Sequence, residues 1–127
     1  MVTILYAGIL GLIYFVLSVY TILGRWKYKV NMGDGGNESM MKRMRVHANF
    51  IEYVPFALLL MTLAEFEVVP ENYIHGLGIS LIIGRLLHPI GLTFTFGPSF
   101  CRTSGMILTF GVLVVASIFC IKSYFIL

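Results

Sequence analysis

The chain has 127 residues, 58% hydrophobic and 12% charged; a soluble domain carries about 45–50% apolar and about 25% charged residues, so lipid is the implied solvent. The net charge of +3 is concentrated, with six of the nine Lys and Arg between Arg25 and Arg45, a pattern that sets membrane topology and gives no reason to invoke nucleic acid. The two cysteines, Cys101 and Cys120, form no CxxC and no metal spacing, so neither a disulfide framework nor a metal centre is expected.

The first predicted helix covers residues 2–24, which carry no charge. At about 1.5 Å per residue it is about 35 Å long, enough to cross a hydrocarbon core of about 30 Å. Its start is not basic, and it exceeds the apolar run of a secretory signal, about 7–15 residues, so a retained helix is expected. Arg25-Trp26-Lys27-Tyr28-Lys29 ends it with the cations and aromatics of a headgroup region. Gly33-Asp34-Gly35-Gly36-Asn37 then reads as a loop. No strand precedes it and no GK[ST] follows, which argues against a phosphate loop.

The second predicted helix spans residues 40–66, with Ser39 as its candidate cap and Pro55 inside it. Membrane helices tolerate such a proline where neighbours satisfy the freed carbonyl. A short acidic connection follows, carrying Glu65, Glu67 and Glu71. The third helix spans residues 73–92 and holds Arg85 and His88 near its end; residues 93–99, with Gly97-Pro98, break it. The fourth spans residues 103–125 after Arg102, with Lys122 close enough to its end to snorkel. The chain therefore reads as one all-α domain over residues 1–127, a transmembrane four-helix bundle. Basic loops stay cytoplasmic, which puts the first and third connections inside and both termini on the non-cytoplasmic side.

Ionisable residues inside a bilayer cost about 2.5–3.5 kcal/mol each on insertion scales and need a compensating reason. On the second helix Arg45, Asn49 and Glu52 are spaced by four and then three, which puts them on one face with Tyr53 beside it. His47 lies about 200° round from Arg45, on another face. On the third helix Arg85 and His88 share a face at matching depth. Two readings of these faces stand. In one, Glu52 pairs with Arg85 and Asn49 makes an interhelical hydrogen bond, so the faces only hold helices together. In the other, Arg25, Arg45, Arg85 and Arg102 cluster around one Glu52, and the positive excess receives an anion through forked guanidinium donors. No GxSxG, HExxH or Cys–His pair supplies a nucleophile, so any chemistry comes from a bound thiol or cofactor.

The stretch Arg45-Val-His-Ala-Asn49-Phe-Ile-Glu52-Tyr53-Val-Pro55 resembles the R-x-x-x-N-x-x-E-x-x-P signature of the MAPEG family, the membrane-associated proteins in eicosanoid and glutathione metabolism. The Gly33-Asp34-Gly35-Gly36 loop, Gly84-Arg85-Leu86-Leu87-His88 and Arg102-Thr103-Ser104-Gly105-Met106 resemble its bacterial members in particular. The resemblance implies a bacterial inner-membrane homotrimer with glutathione between subunits as co-substrate. It assigns Arg45, Asn49, Glu52 and Tyr53 to glutathione binding, with Arg85 and His88 arriving from a neighbouring subunit. Arg102 or Arg25 would stabilise the thiolate, which attacks a lipophilic small-molecule substrate or peroxide arriving from the membrane lipid.

Where eicosanoid-forming members carry paired tyrosines, this sequence has His88 and Leu92. Leukotriene synthesis is therefore not implied. The resemblance leaves a transferase or peroxidase acting on hydrophobic electrophiles, or a non-catalytic lipid- or partner-binding protein on the same scaffold.

Overall fold

The computed structural model describes residues 1–67, 69–94 and 99–126. It holds α1 (Thr3–Tyr28), α2 (Glu38–Phe66), α3 (Glu71–Phe94) and α4 (Phe100–Ile126). All four are long and apolar enough to cross a membrane. Large side chains left exposed on the outer surface, such as Leu12, Phe15, Phe56 and Ile107, are apolar, as a lipid-facing surface requires.

Each helix end has a local cause. α1 continues through the basic segment that was expected to end it and stops at Lys29, whose φ of 56° is left-handed. The Val30 amide then reaches back to the Arg25 carbonyl at 3.0 Å, the closing bond of a Schellman motif. Gly33, Gly35 and Gly36 all have positive φ. At Gly35 a Cβ would also meet Val30 at 2.9 Å, so the turn needs glycine there.

The cap of α2 is Asn37, not Ser39: its Oδ1 accepts from the Met40 amide at 2.9 Å. The Asn37 backbone is extended, the conformation a capping residue adopts. Both Pro55 and Pro89 lie inside their helices. α3 runs past the expected end at residue 92; Gly97-Pro98, assigned to the break, lies outside the described residues. α4 starts before Arg102, because Ser99 Oγ accepts from the Arg102 amide at 3.2 Å.

α1 packs on α2, α3 packs most extensively on α4, and α2 and α3 each touch the other three helices. The core between them is apolar, from Tyr6 and Leu10 through Phe50, Ala57 and Met61 to Ile74, Leu81, Val112 and Ala116. α3 and α4 come closest at two glycines. A Cβ on Gly84 would sit 2.9 Å from the Gly105 carbonyl oxygen, and one on Gly105 would sit 2.7 Å from the Gly84 oxygen. Small residues allow this backbone contact in a membrane, where close packing rather than water drives association. The crossing carries Arg85 and His88 onto α4.

Candidate functional site

Arg85 is the largest of the fully buried side chains, with 2% of its surface exposed. Nη1 donates to Asn49 Oδ1 at 2.8 Å and Nη2 to Thr109 Oγ1 at 2.6 Å. The Thr109 hydroxyl spends its own proton on the Gly105 carbonyl at 2.9 Å, so toward Arg85 it can only accept. Sulfur of Met106 lies 3.6 Å from Nη2, and the Tyr53 ring centroid is 6.0 Å from the guanidinium carbon. Nε has no hydrogen-bond partner among the described residues.

Among the described residues no carboxylate is paired with this guanidinium. Ion pairs among the described residues are the amino terminus with Glu65 and Arg45 with Glu52. Removing a cation from water without a counter-charge costs several kcal/mol even after relaxation; here the dipoles of Asn49, Thr109 and Gly105 are what offset it. Arg45, Arg85 and Arg102 all act electrostatically on the imidazole of His88, itself 5% exposed. Arg45, Arg85 and Arg102 thus lie toward the same end of the bundle, the end that loop one closes.

The helix-two face divides. Asn49 turns inward, 9% exposed, and closes on Arg85. Arg45 and Glu52 point outward and form a 3.8 Å ion pair, their side chains 58% and 46% exposed. Pairing of Glu52 with Arg85, the structural alternative weighed from spacing, is not the arrangement present. Arg85 enters between α2 and α4, whereas Glu52 lies on the outer side of α2. The interhelical hydrogen bond expected of Asn49 is present, and Arg85 reaches it from α3 of the same chain, without a second copy. Tyr53 packs edge-on against Phe110, ring centroids 5.5 Å apart.

The two arginines proposed for thiolate stabilisation sit differently. Arg102 is half-buried in the first turn of α4, where a Cβ on Gly91 would come within 2.8 Å of its own Cβ. Arg25, at the end of α1, donates from Nη1 to the Gly33 carbonyl at 3.0 Å and so anchors loop one. The structure brings Arg45, Asn49, Glu52, Tyr53, Arg85, His88 and Arg102 to one region, and ties Arg25 to the loop instead.

Sequence reasoning did not find Thr109. Its signal was present, since Thr109 follows Gly105 by four residues and shares its helix face. Its partner Arg85, however, lies 24 residues away on another helix, and the pairing had no local mark. His47 lies on a different face from Arg45, as its angular position predicted, and that face meets α1: Ser18 Oγ lies 3.1 Å from its Nε2 and the Tyr14 ring centroid 5.1 Å from its own.

The MAPEG family profile matches residues 3–122. Over 91 residues the chain is also 36% identical to Inner membrane protein YecN of Escherichia coli strain K12, covering 72% of this chain and 70% of the relative. The YecN protein of strain O6:H1 gives the same identity and coverage. Matched along almost its whole length, with the signature residues gathered at one end of a four-helix membrane bundle, the chain belongs to the MAPEG family.

Proposed function

We propose that this protein is an integral inner-membrane, glutathione-dependent transferase or peroxidase that works on hydrophobic electrophiles as a homotrimer. The observation that carries the reading is an arginine-rich end of the bundle, where Arg85 is bonded to Asn49, Arg45 is paired with Glu52 on the same helix and the first turn of α4 brings Arg102 against Gly91. Glutathione has two carboxylates and one ammonium, and this charge set is its complement. Arg45 and Glu52 are the contact residues, because they are the members that face outward. An ion pair facing lipid is costly; facing a second copy of the chain and a zwitterionic peptide, it is satisfied. Tyr53 adjoins this face, while Arg85 holds buried Asn49 behind it and His88 is buried one turn further along α3.

Arginine stays protonated at neutral pH and cannot serve as a base. Its role is electrostatic: a free thiol ionises near pH 8.5, and a nearby cation lowers that value. The thiol proton goes to water. The thiolate then attacks the electrophilic carbon, forming the S–C bond as the leaving group departs with its electron pair. Arg102 is the better placed of the two activating candidates, because it lies in the first turn of α4, where the helix N-terminus adds positive potential, while Arg25 is engaged by loop one.

The cationic first loop is proposed to face the cytoplasm, with both termini on the opposite side. Calorimetry with glutathione and conjugation of an aryl halide by the purified protein test the reading. Expected are binding in the millimolar range or tighter and release of halide. Absence of binding at millimolar glutathione would sink it. Bound lipid without thiol turnover would select the non-catalytic, lipid-binding alternative, for which buried His88 and Leu92 in place of hydroxyl-bearing tyrosines speak.

A further inference from the structure

A second polar cavity lies at the same end of the molecule, between α1 and the start of α2. It has a volume of about 110 Å³ and is lined by Tyr20, Tyr28, Ser39, Lys42, Arg43 and Val46. Arg43 and Arg45 are two positions apart, hence about 200° apart around α2, so this cavity faces away from the Arg45–Glu52 pair.

Arg43 is held, not trailing in solvent. Its guanidinium carbon lies 3.8 Å from the Tyr20 ring centroid and 5.6 Å from that of Tyr28. Nη1 donates to the Tyr20 carbonyl at 2.7 Å. Buried Gly24 makes the notch that receives it, since a Cβ there would meet Arg43 Cδ at 2.6 Å and Met40 sulfur at 3.2 Å. Tyr28 and Ser39 line the cavity beside it. No ion pair to Arg43 occurs among the described residues, and one bond to a carbonyl uses one of a guanidinium's five donors.

We infer that this cavity binds a phosphate ester, with the fixed Arg43 fork, Lys42 and the Ser39 and Tyr28 hydroxyls as its donors. A water occupies about 30 Å³ of liquid, so the cavity has room for a group the size of phosphate. Arginine fixed on aromatic faces suits such a ligand because its planar donors lose little freedom on binding. Trp26 beside it is 74% exposed and Lys27 and Lys29 are also exposed, which puts the cavity at headgroup depth. Basic pockets between membrane helices at that depth take anionic lipid headgroups; a free phosphate ester offers the same chemistry.

Native mass spectrometry of the detergent-solubilised protein tests this, with dihexanoyl phosphatidylglycerol, dihexanoyl phosphatidylcholine and inorganic phosphate as probes. Phosphatidylglycerol is expected to bind once per chain, ahead of phosphatidylcholine, and more weakly as salt rises. Arg43→Gln is expected to weaken it by about tenfold or more, the loss of a charge-assisted bond, and Arg43→Lys by less. Lys122→Gln, at the far surface, is expected to change nothing, and glutathione binding is expected to survive Arg43→Gln. Should Arg43→Gln not fold, the Ser39→Ala/Lys42→Gln pair leaves the Tyr20 stack intact and is expected to lose affinity several-fold. Displacement of the lipid by inorganic phosphate would assign the site to soluble phosphates; resistance to displacement would assign it to lipid. Equal binding of the two lipids, or unchanged phosphatidylglycerol affinity in whichever variant elutes and melts as the parent does, would overturn the inference.

Discussion

Arg85 is a structural side chain in this fold whose charge the proposed function would also use. Its bonds to Asn49 and Thr109 join α2, α3 and α4 at one point, and its charge has no carboxylate partner among the described residues. Three substitutions separate these roles. Thr109→Val keeps the shape and removes the acceptor, which is expected to cost about 1–3 kcal/mol in thermal unfolding in detergent. Asn49→Ala leaves a charged donor unpaired and is expected to cost more than Thr109→Val. Asn49→Asp puts a carboxylate against the guanidinium; it is expected to melt no lower than the parent, yet to bind glutathione more weakly, because the positive excess is neutralised. A lower melting point with unchanged affinity would reverse both halves of that account.

Arg45 and Glu52 give the complementary case. They are exposed, and an exposed pair contributes little to stability, about 0–1 kcal/mol. Arg45→Ala and Glu52→Ala are therefore expected to leave the melting temperature of a single chain nearly unchanged while weakening glutathione binding in calorimetry. A large loss of stability with intact binding would make the pair packing glue instead.

At the scale of the elements, the α3–α4 crossing is the contact that positions the site. Gly105→Ala places a methyl 2.7 Å from the Gly84 oxygen and 2.9 Å from the His88 amide. The helices must separate by several tenths of an ångström, and overpacking of this kind costs about 1–3 kcal/mol. Because Arg85 adjoins Gly84 and bonds Thr109, the same change is expected to weaken glutathione binding although it touches neither Arg45 nor Glu52. Gly111, where a Cβ meets nothing within 4 Å, is the control, and Gly111→Ala is expected to be silent in both assays. At the far end of the bundle, Glu65 accepts from the Thr3 amide at 2.9 Å and from the Val2 amide. It thus satisfies the α1 start, where no side chain of α1 does so. An acid read from sequence as part of a polar connection is in fact a cap supplied by another helix, favoured by the helix dipole.

For the whole molecule, the charge asymmetry predicts which side loop one faces. Met32 is 89% exposed in that loop. In a variant with Cys101 and Cys120 replaced by serine, Met32→Cys is expected to resist a membrane-impermeant maleimide added to intact cells and to react once the membrane is opened. Labelling in intact cells would invert the proposed orientation.

Composition and apolar runs by themselves determined the solvent, the helix number and the all-α class, because backbone groups in lipid must be satisfied within each segment. Spacing by four and three determined which polar residues of α2 share a face, because helical periodicity is local. Helix ends were less legible: Lys29 stops α1 through a left-handed backbone and Asn37 and Ser99 start α2 and α4 through side-chain caps, none of which hydropathy reports. Only the tertiary structure decided how the polar face divides. Asn49 turns to Arg85 and Thr109, while Arg45 and Glu52 remain outside. That outcome depends on the close approach of Gly84 and Gly105 and on the angle at which α3 delivers its arginine. Both are properties of packing between segments far apart in sequence, and no periodicity within one helix encodes them.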